Sequence, residues 1–82
     1  MILLDTNVVS EPLRPEPDVR VIAWIDSQSL ETLFLSAITV AELRAGVAQM
    51  PAGRRRSGLQ QNLEKRMLPL FTGRVFNLFI SR

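Results

Sequence analysis

The chain has 82 residues, a net charge of +2, 46% apolar residues and neither Cys nor His. That length bounds a single domain, one burying only about 60% of the surface its unfolded form exposes. Without Cys or His there is no disulfide, no structural zinc, and no thiol or imidazole to act as nucleophile or general base.

Met1-Ile-Leu-Leu reads as a buried parallel strand, because a short apolar run ends abruptly in Asp5-Thr6-Asn7. The carboxyl end of such a strand delivers its next side chain to the crevice where open α/β sheets bind ligands, which makes Asp5 a candidate site residue. Asp, Thr and Asn are also preferred helix N-caps, so a capping role stands beside the chemical one. Val8 to Arg14 is predicted as a short helix, stopped where Pro15 and Pro17 stiffen the chain.

Asp18 should cap a second helix whose Val21, Ile22 and Ile25 fall at helical spacing and pack on the sheet. Trp24 beside them reads as a core or subunit-contact residue. Thr32 to Ser36 repeats the opening pattern as a second strand. Ile38 to Met50 then forms a helix with Val40, Leu43 and Val47 on one stripe, closed by Pro51-Ala-Gly53. Arg54 to Phe71 is predicted as one long helix, with Leu59, Leu63 and Met67 four residues apart, ended by Gly73. Arg74 to Ile80 completes a β-α-α-β-α-α-β order, the alternation of an α/β fold in which helices flank a parallel sheet.

Glu42 supplies a second acid, placed in the first turn of the helix after strand two. If the strands are neighbours, a right-handed crossover brings that helix start to the sheet edge where Asp5 lies. Two converging carboxylates suit a hard divalent cation such as Mg²⁺ or Mn²⁺, and a metal-activated water suits a chain with no His or Cys. The alternative for Glu42 is a capping box with Thr39, which needs no chemistry. Gly46 lies one turn beyond Glu42 on the same face, where it costs about 1 kcal/mol relative to Ala. Either the close approach of another molecule or tight helix packing would explain it.

The charge is divided unevenly. Residues 1–53 carry seven acids against three arginines, a balance of −4, whereas residues 54–82 carry seven basic residues against Glu64, a balance of +6. An acidic part followed by a basic part suits a metal site beside a phosphate-binding surface, and equally suits solvated faces. No basic stretch precedes an apolar signal and no window reaches the roughly 18 to 20 apolar residues of a membrane span, so a cytoplasmic, membrane-free protein is expected.

The run from Met1 through Asp5-Thr6-Asn7 to Arg14, with Leu35-Ser-Ala-Ile-Thr-Val-Ala-Glu42-Leu-Arg-Ala-Gly46 and Leu68-Pro-Leu-Phe-Thr-Gly73-Arg74, resembles the amino-terminal part of a PIN-domain toxin of the FitB/VapC type. The resemblance covers about residues 1–75, and residues 76–82 form a divergent tail. It implies a PIN-like fold and an Mg²⁺- or Mn²⁺-dependent ribonuclease of a toxin-antitoxin system, with RNA as substrate, a cognate antitoxin as partner and a homodimer in the full-length family. Asp5 and Glu42 match the first two acids of a metal-holding cluster of about four, with Thr6 and Asn7 supporting the first.

The later acids have no counterpart in the 82 residues. Glu64, beside Lys65, reads as a solvated ion-pair residue rather than a substitute. The expectation is therefore an incomplete, carboxy-terminally truncated PIN-like domain over residues 1–82, weakly active or inactive as a nuclease. A non-catalytic remnant that binds an antitoxin or oligomerises through helices around Trp24 and Leu63 is the alternative. The third strand, with Val75, Phe76, Leu78, Phe79 and Ile80, would be an edge open to pairing or aggregation. Arg54, Arg55 and Arg56 oppose the dipole of the helix they would open, so they lie in a solvated loop or grip RNA phosphate.

Overall fold

The computed structural model describes residues 1–76. Three short strands make one parallel sheet. Strand β1 (Ile2–Leu3) pairs with β2 (Leu33–Ser36), Ile2 opposite Leu33 and Leu3 opposite Phe34. Strand β3 (Val75–Phe76) pairs with the other edge of β2, Leu35 opposite Val75 and Ser36 opposite Phe76, so the order is β1-β2-β3. The amide of Leu4 extends the first pairing by donating to the Phe34 carbonyl at 2.9 Å. Because side chains alternate along a strand, Leu33 and Leu35 share one buried face of β2 while Phe34 on the other face stacks on Phe76 at 5.3 Å. The predicted residues 77–80 of the third strand lie outside the described residues.

Parallel neighbours require crossovers, and helices supply them. Helix α1 (Thr6–Val9) begins two residues before the predicted start at Val8, because Asp5 caps it; a 3-10 turn at Glu11–Leu13, opened by Pro12, replaces its second half. Helix α2 (Val19–Asp26) is capped by Asp18 as expected. No residue of α2 is buried, however, so this helix does not lie flat on the sheet. Only Ile25 packs against the core's margin, and Trp24 is 43% exposed rather than a core residue.

Helix α3 (Ala37–Ala48) buries Leu43 and Val47 and partly buries Val40, the stripe its spacing predicted. The helical segment beyond Gly53 is not one uniform helix. It runs as α4 (Arg54–Gln61), widens into a π-helical stretch at Asn62–Met67, and tightens into a 3-10 turn at Leu68–Phe71. Pro69 explains the break: it has no N–H to give, and its ring clashes with the carbonyl of Lys65 one α-helical turn earlier. The apolar row survives the change of winding, with Leu63 1% exposed between the half-buried Leu59 and Met67.

Gly73, at φ 80°, turns the chain where side-chain-bearing residues are strained. Arg74 then fastens β3 to the sheet, its Nε donating to the Leu33 carbonyl at 3.0 Å, another guanidinium nitrogen donating to the Leu70 carbonyl, and its charge lying over the Phe71 ring. The core joins the strand residues Leu4, Leu33 and Leu35 to helix residues Val9, Leu43, Val47, Leu63 and Phe71. Among the described residues no helix is long and apolar enough to cross a membrane.

Candidate functional site

Asp5 stands where β1 ends, in extended conformation, as the N-cap of α1. One carboxylate oxygen, Oδ2, accepts the backbone N–H of Asn7 at 2.9 Å. The other has no hydrogen-bond partner among the described residues. Capping and site readings therefore coexist, since a cap engages one oxygen and leaves the second facing solvent. Asn7 supports Asp5 through its backbone amide, not its side chain.

Glu42 reaches the same region by a route its spacing concealed. Helix α3 is capped by Ser36, whose Oγ accepts the Thr39 amide at 3.0 Å, so the helix has begun by Ala37 and Glu42 lies in its second turn rather than its first. The Thr39–Glu42 capping box does not form, because Thr39 is already inside the helix and its amide is already taken. Instead the Thr6 hydroxyl donates to Glu42 Oε1 at 2.5 Å. Thr6 has one hydroxyl hydrogen, so in its 3.2 Å contact with the Thr39 hydroxyl the donor is Thr39. Thr39 in turn accepts from the Ser36 hydroxyl at 3.1 Å.

Ser36 and Thr39 are buried, and this chain of hydroxyls satisfies them while ending on Glu42. The residue immediately after Asp5 thus holds the second acid. Asp5 and Glu42 each keep one oxygen without a described hydrogen-bond partner. Two hard oxygen donors fit Mg²⁺ or Mn²⁺, which takes one or two carboxylates with waters and phosphate oxygens. Among the described residues no group of three or more Asp, Glu, His or Cys side chains converges on such a site.

Thr6 and Glu42 also line a groove of about 280 Å³ whose lining includes Arg14, Gly46, Met50 and Arg55. The three consecutive arginines part company here. They form the first turn of α4 rather than a loop, so successive side chains point in different directions. Arg55 lines the groove with Glu42, Arg56 lines a separate pocket with Arg44 and Glu64, and Arg54 is exposed and lines neither.

Two further residues carry local structure that the sequence reading left unassigned or misplaced. Glu11 is 9% exposed; it accepts the Asp18 amide at 2.9 Å and pairs with Arg14 at 3.5 Å, pinning the Pro15–Pro17 segment. Its position three residues before Arg14 was the available signal. Glu64 is an ion-pair residue as expected, but its partner is Arg44 on α3, with Nε–Oε2 at 2.7 Å and Nη2–Oε1 at 2.9 Å. This bond holds the Glu64 carboxyl below its ordinary range and raises Arg44. Likewise the Arg20 guanidinium lowers Asp18 through its hydrogen bond.

The family model for the PIN domain matches residues 2–79. Among curated proteins, the plasmid stability protein StbB of Pseudomonas syringae pv. tomato is 64% identical over 77 residues, covering 94% of this chain and 55% of its own length. Toxin FitB of Neisseria gonorrhoeae is 61% identical over 75 residues, covering 92% of this chain and 54% of its own. The VapC ribonuclease Y4jK of Sinorhizobium fredii is 61% identical over 84 residues, covering all of this chain and 60% of its own length. A solved structure of FitAB bound to an IR36 DNA fragment superposes with a TM-score of 0.90 at 57% identity, over 94% of this chain and 54% of that one. The chain therefore spans a little over half the length of the curated relatives it matches.

Proposed function

Because the chain belongs to the PIN-domain family, we propose that Asp5 and Glu42 are metal-holding acids of a ribonuclease site of the toxin-antitoxin kind, supported by Thr6 and Asn7. The observation that carries this reading is the 2.5 Å bond from Thr6 to Glu42. It ties the acid on α3 to the residue following the acid that caps α1, where a structural capping role for Glu42 would have been satisfied within α3 itself. A relative named as a VapC ribonuclease and another named as a toxin support the same direction.

In this reading the free oxygens of Asp5 and Glu42 would hold Mg²⁺ or Mn²⁺, which supplies a water acidified enough to attack a phosphodiester at neutral pH. The Asn7 amide holds one oxygen of Asp5 and leaves the second without a hydrogen-bond partner among the described residues. The Thr6 hydroxyl fixes Glu42 by donating to one of its oxygens. Arg55, of the three arginines, has the position to meet substrate phosphate. With two acids, the 82-residue chain by itself holds a metal less rigidly than a four-acid cluster and is a weak or inactive nuclease, acting in the cytoplasm.

Binding of Mn²⁺ to the purified chain, followed by calorimetry, should be measurable and should fall at least tenfold in Asp5→Asn and in Glu42→Gln, the range that loss of a metal-supporting group produces. Unchanged affinity in both variants would sink the assignment. A second reading, as a module that binds an antitoxin or another toxin subunit, draws on the exposure of Trp24 and Val19 along α2. Leu63 does not belong to that surface, being buried. The similarity to FitAB structures supports an antitoxin partner, and a module of this kind would retain partner binding in Asp5→Asn.

A further inference from the structure

We propose that the groove running from Glu42 past Gly46 to Arg14 and Arg55 is a track for the sugar-phosphate backbone of single-stranded RNA; this rests on the nuclease reading above and extends it to how substrate is held. Two independent observations carry it. The first is charge placement. Arg14, from the turn after α1, and Arg55, from the first turn of α4, line the same groove, and both also line an adjoining groove of about 270 Å³. The two guanidinium groups thus share one groove with Glu42 and line the groove that adjoins it.

Arg55 has no ion-pair or hydrogen-bond partner among the described residues. Arg14 has one long contact, to Glu11 at 3.5 Å, and its side chain is 55% exposed, which leaves most of its five donors available. Arg55 also sits where the dipole of α4 disfavours a cation, a cost that a bound anion relieves.

The second observation is Gly46. It occupies the interior of α3 and lines this groove, yet a Cβ built there meets nothing within 4 Å. Tight packing within the chain therefore does not account for it. A ligand passing close over α3 between Glu42 and Met50 does. No aromatic residue lines either groove, so bases have no stacking platform and binding reads the backbone rather than the sequence.

The test is fluorescence anisotropy of a labelled single-stranded RNA on the full chain in EDTA, so that binding is read without metal or cleavage. In Arg14→Gln/Arg55→Gln the slope of log affinity against log salt should fall by about 1.4, two phosphate contacts at about 0.7 each for a single strand. Lys65→Gln, which removes an exposed charge outside the groove, should leave the slope unchanged. Gly46→Ala should raise the melting temperature by about 4–8 °C, the effect of about 1 kcal/mol in a domain of this size, while weakening RNA binding.

Wild-type RNA binding by the double arginine variant or by Gly46→Ala overturns the proposal, as does an equal loss in Lys65→Gln. Equal displacement of RNA by polyglutamate also overturns it, because the groove would then be reading an acidic protein segment. If the arginine and glycine variants behave as expected but Asp5→Asn and Glu42→Gln bind Mn²⁺ like wild type, the metal-site reading fails and the RNA track stands.

Discussion

At the scale of single residues, Asp5 shows why pattern alone could not choose between structure and chemistry. It caps α1 through one oxygen and offers the other to the site, so two substitutions separate the roles. Asparagine remains a good N-cap but carries no charge, whereas alanine removes both functions. Asp5→Ala should therefore lower stability by about 1 kcal/mol in denaturant titration, while Asp5→Asn stays within about 0.5 kcal/mol of wild type. Loss of Mn²⁺ binding in both variants, with loss of stability in one, is the expected pattern; equal destabilisation would mean the charge itself serves the fold. The candidacy of Asp5 was legible because a short apolar run stops at it, although the strand that run forms is a half-exposed edge of two residues rather than the buried strand expected. The Thr6–Glu42 bond was not legible, since it joins residues 36 apart and depends on where α3 begins. Ser36 and Thr39 compete as caps three residues apart, and only tertiary contact with Thr6 assigns the first to the helix and the second to the hydroxyl chain.

At the scale of elements, periodicity carried most of what could be read. The stripe on α3 and the row Leu59, Leu63, Met67 bury as spacing dictates. The π-helical stretch escaped detection because the apolar row keeps its four-residue interval through it, and Pro69 gives only the break point. That stretch matters for how α3 and α4 are joined, since it carries Glu64 to Arg44. Arg44 lowers the Glu64 carboxyl from its ordinary value of 4.5 chiefly by hydrogen bonding to it. A carboxylate whose folded pKa lies below its unfolded one contributes stability that is fully present above the unfolded value and is lost as pH falls through the folded one. The pair is solvent-exposed, so its worth is about 0.2–1 kcal/mol and falls with salt. Glu64→Gln should thus be slightly less stable than wild type at pH 7, with the two melting curves converging in acid below the ordinary carboxylate range. A gap that persists there would show that packing, and not the ion pair, joins the helices.

For the whole molecule, the β-α alternation and the parallel sheet were legible from the placement of short apolar runs between helical stripes, whereas the disposition of α2 was not. An amphipathic pattern says that a helix has an apolar face, not how much core is available to cover it. Here the core is small, and apolar surface remains open: Leu3 is 49% exposed on β1, Val75 44% and Phe76 38% on β3, and an apolar groove of about 410 Å³ opens beside Leu4, Leu33, Met67 and Phe71. Among the described residues β1 and β3 are the sheet's edges, with β2 between them. Backbone donors and acceptors on an apolar edge are a template for another chain. Phe76 adds to this by stacking on Phe34, which flattens an apolar surface across β2 and β3. The 82-residue chain should therefore self-associate as its concentration rises, detected as an increasing weight-average mass in sedimentation equilibrium. Phe76→Lys places a charge on the edge strand, the device by which natural sheets block such pairing, and should reduce association. Because Phe76 is 38% exposed, the loss in monomer stability should stay below that of a core truncation such as Leu35→Ala, about 2–5 kcal/mol. A wild-type chain that remains monomeric throughout would place the association surface elsewhere; a Phe76→Lys chain that associates as before would move it from the β3 edge to the apolar groove.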